Sequence, residues 1–260
     1  MRILMVGDIV GNPGRAVFAR TVTRLRADKA VDVVVANAEN AAGGKGITRA
    51  MAEELFSAGA DVLTLGDHAW DQRDFVNDIK MLPAVVRPAN FAPGAPGKGF
   101  HTFEKNGARV TVIALVGRVF MNPYDDPFRT VDAILAREPN LGKIILVDMH
   151  GEATSEKVAI SRYLDGRVTA VCGTHTHVQT ADERIMPGGT GAITDLGMTG
   201  PKDSVIGRSA DAVLKTFTTG MPTKFEVGVG DVELDGVLIE ADEATGRCKS
   251  IKRFREKQAK

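Results

Sequence analysis

Val31-Asp32-Val33-Val34-Val35-Ala36-Asn37-Ala38-Glu39-Asn40 is the stretch that decides the fold class. Its β-branched core, read as a strand over Val31–Ala36, does not alternate with polar residues, which marks a strand buried on both faces. Such a strand belongs to a parallel sheet covered by helices, and this one runs out into a carboxylate and an amide, Glu39 and Asn40.

The same pattern recurs on either side. Ile3–Val6 reads as a strand, followed by the turn-rich Gly7–Gly14 and a helix over Arg15–Ala27. Thr48–Ala58 reads as a helix with Thr48 as its N-cap, and Asp61–Leu65 as a third strand. Val85–Gly99, dense in proline and glycine, is an irregular excursion. Phe100–Glu104 and Arg109–Leu115 flank Asn106-Gly107, a strong hairpin signal. Lys143–Asp148 and Arg167–Cys172 return to buried strands, with a helix near Ser155–Leu164 between them. Thr223–Ile251 reads as strands broken by Gly228, Gly230, Asp235-Gly236 and Thr245-Gly246. With no repeat or domain boundary, residues 1–260 are expected to form one α/β domain of two sheets with helices on the outer faces.

Composition excludes several function classes. The 260 residues carry 33 basic and 33 acidic side chains, so no global field draws the chain to nucleic acid or membrane, although a local basic pocket stays open. Cys172 and Cys248 form no CxxC pair, which argues against a zinc ribbon or redox motif. The apolar run before Gly7-Asp8 is too short for a signal peptide and no run approaches a membrane span, so the cytoplasm is the expected location.

The chemistry lies where the strands end. Asp8 follows the first strand, Glu39-Asn40 the second and Asp67-His68 the third; His150 and His175-Thr176-His177 follow the two later ones. Carboxyl ends of parallel strands line up along one rim, so five loops deliver carboxylate, amide and imidazole groups to one region. A lone loop histidine is usually a hydrogen-bonded cap, but four of the chain's five histidines occupy these loops; His101, at the start of a hairpin strand, is the exception. A mixed oxygen and nitrogen donor set suits manganese, iron or zinc. Asp8, Glu39, Asn40, Asp67, His150, His175 and His177 exceed one tetrahedral site; two ions sharing a carboxylate would use them all. Paired ions about 3.5–4 Å apart clamp an in-line displacement at phosphorus, with a metal-held hydroxide attacking. His68 is left over as a general acid. Competing motifs fail: Gly7, Gly11 and Gly14 miss the dinucleotide fingerprint, Gly43–Thr48 lacks a P-loop ending, and there is no G-x-S-x-G elbow.

Gly7-Asp8, Gly66-Asp67-His68 and Gly173-Thr174-His175-Thr176-His177 resemble the GD, GNH[DE] and GHxH blocks of the calcineurin-like metallophosphoesterases. Gly7-Asp8-Ile9-Val10-Gly11, Glu39-Asn40-x-x-Gly43-Gly44-x-Gly46, His68-Ala69-Trp70-Asp71, Gly117-Arg118-Val119-Phe120-Met121 and Pro127-Phe128-Arg129-Thr130 are closer still to the bacterial 2′,3′-cyclic nucleotide phosphodiesterase branch. The resemblance spans essentially the whole chain. It implies a four-layer α-β-β-α sandwich of two mixed sheets and a dinuclear centre, iron or manganese by preference, with zinc and magnesium open. It also implies that Asp8, Glu39, Asn40 and His177 hold one ion. Bridging Glu39 with Asp67, His150 and His175 would hold the other, with His68 as proton donor.

Two departures stand out. Ile9-Val10 follow Asp8 where the wider superfamily has D-x-H, and Asn40 takes the place of that histidine, as in the closer branch. Asp67 stands where GNH has asparagine, so the inner site is expected to be about one unit less positive, to grip its second metal more tightly and to pull less on phosphate. Arg118 and Arg208 are candidates for holding substrate, since arginine offers a planar fork of donors, and Trp70 could stack on a base. The leading expectation is a phosphodiesterase acting on 2′,3′-cyclic nucleotides or related small phosphodiesters. A phosphomonoesterase (nucleotidase or phosphoprotein phosphatase) and an RNA-associated regulatory protein with a structural metal site are the alternatives. A homo-oligomer stays open.

Overall fold

The computed structural model describes residues 1–258. The first sheet begins with β1 (Arg2–Val6), which turns at Gly7 into the two-residue β2 (Asp8–Ile9). A helix, α1 (Gly11–Ala27), leads to β3 (Val33–Asn37); α2 (Arg49–Ser57) leads to β4 (Val62–Thr64); and the short α3 (Phe75–Asp78) leads to β5 (Val85–Val86). β1, β3, β4 and β5 are parallel neighbours, as the unbroken β-branched runs require. Thr48 caps α2 through its hydroxyl, which accepts from the Met51 N–H at 3.4 Å.

The second sheet is made by β6 (Phe100–Lys105), β7 (Ala108–Val116), β8 (Ile144–His150), β9 (Ala170–Thr174), β10 (Arg184–Ile185) and β11 (Gly191–Ile193), in the order β10-β11-β9-β8-β7-β6. β6 and β7 pair antiparallel across Asn106 and Gly107, both at positive φ, as the hairpin signal predicts. α4 (Pro127–Arg137) and α5 (Thr154–Tyr163) cross over between β7, β8 and β9. The chain then returns to the first sheet through β12 (Met198–Pro201), passes through α6 (Ala210–Thr219), and finishes in the long antiparallel pair β13 (Val232–Ala241) and β14 (Cys248–Lys257).

Three apolar layers tie this together. Ile3, Met5, Val33 and Val35 of the first sheet pack against Val112, Ala114, Leu146 and Cys172 of the second. The opposite face of the first sheet, with Leu4, Val34 and Leu63, is covered by Val17, Phe18 and Leu55 of α1 and α2. Ile113, Val147 and Val171 are covered by Val131 of α4 and Ile160 of α5. The four-layer α-β-β-α sandwich of two mixed sheets is therefore the observed fold. Each fully buried Val, Leu, Ile, Met or Phe among these contributes about 1.5–3 kcal/mol. No described helix is long and apolar enough to cross a membrane.

Two readings change, and two helices are added. α1 starts at Gly11 rather than Arg15, because Gly11 (φ +60) turns the chain directly into the helix. Asp235-Gly236 does not break a strand: it sits inside β13, where a Cβ on Gly236 would lie 2.3 Å from the Met5 carbonyl oxygen. Glycine serves close approach here, not a turn. α4 and α6 are amphipathic helices in segments that the sequence reading leaves without an element, and Asp126-Pro127 is a helix start, with the Asp126 carboxylate accepting from the Phe128 and Arg129 N–H groups.

Candidate metal centre

The loops at the carboxyl ends of β1, β3, β4, β8 and β9 meet where the two sheets face each other. Glu39 and Asp67 converge there on two imidazoles: His150 Nε2 lies 3.0 Å from Glu39 Oε1, 3.0 Å from Asp67 Oδ1 and 3.0 Å from His175 Nδ1. These four side chains can each turn one donor atom to a common point, the donors lying within 4.8 Å of one another. Beside them is a second group. Asp8 Oδ1 is 3.6 Å from His177 Nε2, and the Asn40 amide is 3.3 Å from both His177 Nε2 and Glu39 Oε1. Glu39 belongs to both groups.

The donors fit metal ions rather than each other. Asp8 Oδ1 is buried with no hydrogen-bond partner, a costly state for a carboxylate oxygen unless a cation satisfies it. Each histidine has its other ring nitrogen occupied, which fixes the nitrogen it turns inward. The Thr174 hydroxyl donates to Asp148 at 2.6 Å and so accepts from His150 Nδ1 at 2.9 Å, leaving Nε2 for the centre. His175 Nε2 faces Glu152 at 3.2 Å, leaving Nδ1. His177 Nδ1 donates to the Ile206 carbonyl at 2.9 Å, leaving Nε2.

Electrostatics show the same crowding. Burial pushes the Asp8 carboxyl up, but the charges of His177 and His150 nearby outweigh it and hold Asp8 well below the usual carboxylate range. Burial is likewise outweighed at Asp67 by hydrogen bonds from His150 and His175. Burial alone would lower His150; the Glu39 charge and the Asp67 hydrogen bond raise it well above an ordinary imidazole. His177 is raised against burial by Asp8. Asp148, enclosed behind the centre by Thr64, Thr174 and Asn37, is pushed up by burial to about 6.

His68 stands at the side of this centre. Its backbone N–H donates to Glu39 Oε2 at 3.0 Å, and its Nδ1 lies 3.0 Å from Asp71 Oδ2. A cavity of about 310 Å³ opens over the site, lined by His68, His175, His177, Glu152 and Arg208 among others. The Arg208 guanidinium donates to the Gly44 carbonyl at 3.2 Å and lies over the Phe225 ring at 5.6 Å; it has no carboxylate partner among the described residues. Gly44 sits at φ +92, a conformation that favours glycine.

The structure thus brings Asp8, Glu39, Asn40, Asp67, His68, His150, His175, His177 and Arg208 together. It does not bring Arg118 to the cavity: its N–H donates to Glu156 and its guanidinium pairs with Asp126 at 3.1 Å. Trp70, partly buried, packs against the core beside Phe91, ring centroids 6.1 Å apart, and does not line the cavity. A larger groove of about 660 Å³, beside Arg87 and α4, shares no lining residue with the site. Asp71, Asp148, Glu152 and Thr174 act at the site without having stood out in the sequence. Asp71 and Thr174 had a signal, standing in the His68-Ala69-Trp70-Asp71 and Gly173-Thr174-His175-Thr176-His177 blocks; Asp148 and Glu152 had none.

Comparison with known proteins agrees with this geometry. Residues 4–254 match the model of the family described as YmdB-like protein. The chain is 46% identical to the 2′,3′-cyclic-nucleotide 2′-phosphodiesterase of Bacillus subtilis (strain 168), over 98% of this chain and 96% of that protein. It superposes on a hypothetical protein of Thermus thermophilus with a TM-score of 0.92 at 40% identity, all of both chains being covered. A phosphatase of Mycoplasma pneumoniae gives 0.91 at 33% identity, over 99% of this chain and 93% of that one. The chain belongs to the YmdB-like protein family, among the metallophosphoesterases whose motifs it carries.

Proposed function

We propose that the chain is a dinuclear metal-dependent phosphodiesterase that opens 2′,3′-cyclic nucleotides at the 2′ oxygen. The observation that carries this is the pair of donor groups sharing Glu39, with the orphaned Asp8 Oδ1 on one side and His68 on the other. Asp8, Glu39, Asn40 and His177 would hold one ion, and Glu39, Asp67, His150 and His175 the other; iron or manganese suits this donor set best. When bound, such a pair activates water and offsets the charge that develops at phosphorus.

The remaining work falls to the chain's own residues. Asp71 accepts from His68 Nδ1, which orients the ring and leaves Nε2 as the nitrogen that holds a proton for the departing 2′ oxygen. Breaking that bond leaves the phosphate on the 3′ oxygen. Arg208, with no carboxylate partner among the described residues, would steady a non-bridging phosphate oxygen or the substrate's ribose end. Glu39 and Glu152 line the small cavity, with Asp67 and Asp8 beside its His175 and His177; these carboxylates offset part of the charge the ions would bring, so a dianionic monoester would gain less over a monoanionic diester than in a site without them. The name of the Bacillus subtilis relative supports the cyclic substrate.

The test is turnover by metal-reconstituted protein on bis-p-nitrophenyl phosphate, p-nitrophenyl phosphate and 2′,3′-cyclic AMP. The proposal expects the diester to be turned over faster than the monoester, and 3′-AMP from the cyclic substrate. The reverse ratio favours a phosphomonoesterase, and no turnover with any divalent ion favours a binding protein with a structural metal site.

A further inference from the structure

His175 and His177 both hold backbone conformations that side-chain-bearing residues rarely adopt, with φ of +99° and +64°. Strain of this kind persists only where the surroundings over-determine it. What surrounds this loop is a buried ion pair from two distant elements, with no part in the chemistry described above. Lys157, at the end of the first turn of α5, and Asp195, just beyond β11, are 2% and 1% exposed, and Lys157 Nζ lies 2.8 Å from Asp195 Oδ2.

Both partners reach the loop's backbone. Lys157 Nζ donates to the Thr174 carbonyl at 3.0 Å. Asp195 Oδ2 accepts from the Thr176 N–H at 3.1 Å and from its hydroxyl at 2.7 Å, while Oδ1 accepts from the Gly197 N–H at 2.8 Å. The residues before His175 and between the two histidines are therefore pinned, and both imidazoles are turned towards the centre. A buried ion pair is weak as a source of stability, because desolvating two charges offsets their attraction. It is strong as a source of definite geometry, since each of its hydrogen bonds is made only in one arrangement.

We infer that the Lys157–Asp195 pair is a positioning clamp that pre-sets His175 and His177 for metal, so that it contributes to metal affinity rather than mainly to folding. This rests on the metal-site reading proposed above. Neither residue touches the donor atoms; they act through Thr174 and Thr176.

The experiment is Mn²⁺ titration calorimetry on metal-stripped protein, with thermal unfolding of the same metal-stripped samples. The variant Lys157→Met/Asp195→Asn removes both charges together, so that neither is left unpaired. It is expected to unfold cooperatively without metal and to bind Mn²⁺ about 10–100-fold more weakly, the range seen when partners of metal ligands are removed. Wild-type affinity in that folded variant overturns the clamp. Should the double variant not fold, Thr176→Val decides: weaker Mn²⁺ binding, restored by Thr176→Ser, supports the clamp, and unchanged binding overturns it. His177→Ala is measured alongside. If it leaves the wild-type isotherm unchanged, the metal-site reading itself fails and takes the clamp with it, whereas loss of binding only in His177→Ala sinks the clamp alone.

Discussion

His150 Nε2 and His175 Nδ1 face each other at 3.0 Å, their rings nearly perpendicular at 72°, with Asp67 Oδ1 within 3.4 Å of both. Two imidazole nitrogens approach this closely only around a shared cation or proton. In the metal-free protein the carboxylates hold that proton: His150 is raised well above the ordinary imidazole value and His177 is raised as well.

Metal binding must then displace protons. A metal needs the neutral imidazole, the neighbouring carboxylates favour the protonated one, and affinity therefore climbs as pH rises. Mn²⁺ titrations at pH 7 in two buffers of different ionisation enthalpy are expected to give different apparent heats, with tighter binding at pH 8 than at pH 6. Heats independent of buffer would show that the site binds no proton that metal must remove.

His68→Ala removes the proton donor without touching a ligand. Turnover of 2′,3′-cyclic AMP is expected to fall about 10²–10⁴-fold, with both metals retained. Asp71→Asn, which removes only the acceptor for Nδ1, is expected to cost less. Metal analysis beside the kinetics checks this; loss of metal in His68→Ala would reassign the ring as a ligand.

Asp67→Asn tests the charge at the centre. The variant keeps the shape and removes one negative charge, so the second ion is expected to be held less tightly and monoester turnover to rise relative to diester turnover. Unchanged metal content together with an unchanged ratio of the two substrates would make the carboxylate a neutral replacement.

Gly7→Ala tests how the fold builds the site. A Cβ there would lie 2.0 Å from the Gly197 carbonyl oxygen, while the Gly7 N–H is already committed to the Asp235 carbonyl at 3.0 Å. Relief means prising the start of β2 away from β12, at a cost of about 3 kcal/mol or more, and it displaces Asp8. Chemical denaturation should show the loss, and a stability equal to wild type would contradict it.

Much of this was legible in the chain. The run from Val33 to Asn37 is apolar almost throughout because both faces of β3 are covered, and that lack of alternation is readable without coordinates. The candidate ligands were readable because each stands within a few residues of a strand end, a position that depends on local sequence alone. Glu152, Asp148, Lys157 and Asp195 were not. They are common residue types whose roles come from contacts with Thr174, Thr176 and His175 that only the meeting of the two sheets creates. Arg118 shows the opposite failure, a motif arginine whose local partner Asp126 keeps it from the cavity.

The most direct test of the central claim combines metal counting with product identity. Protein purified without chelator is analysed for metal, then given 2′,3′-cyclic AMP and the products are resolved. Two metals per chain and 3′-AMP as the product are the predicted result. Fewer than two metals after reconstitution with iron or manganese, or 2′-AMP or no product, would contradict it.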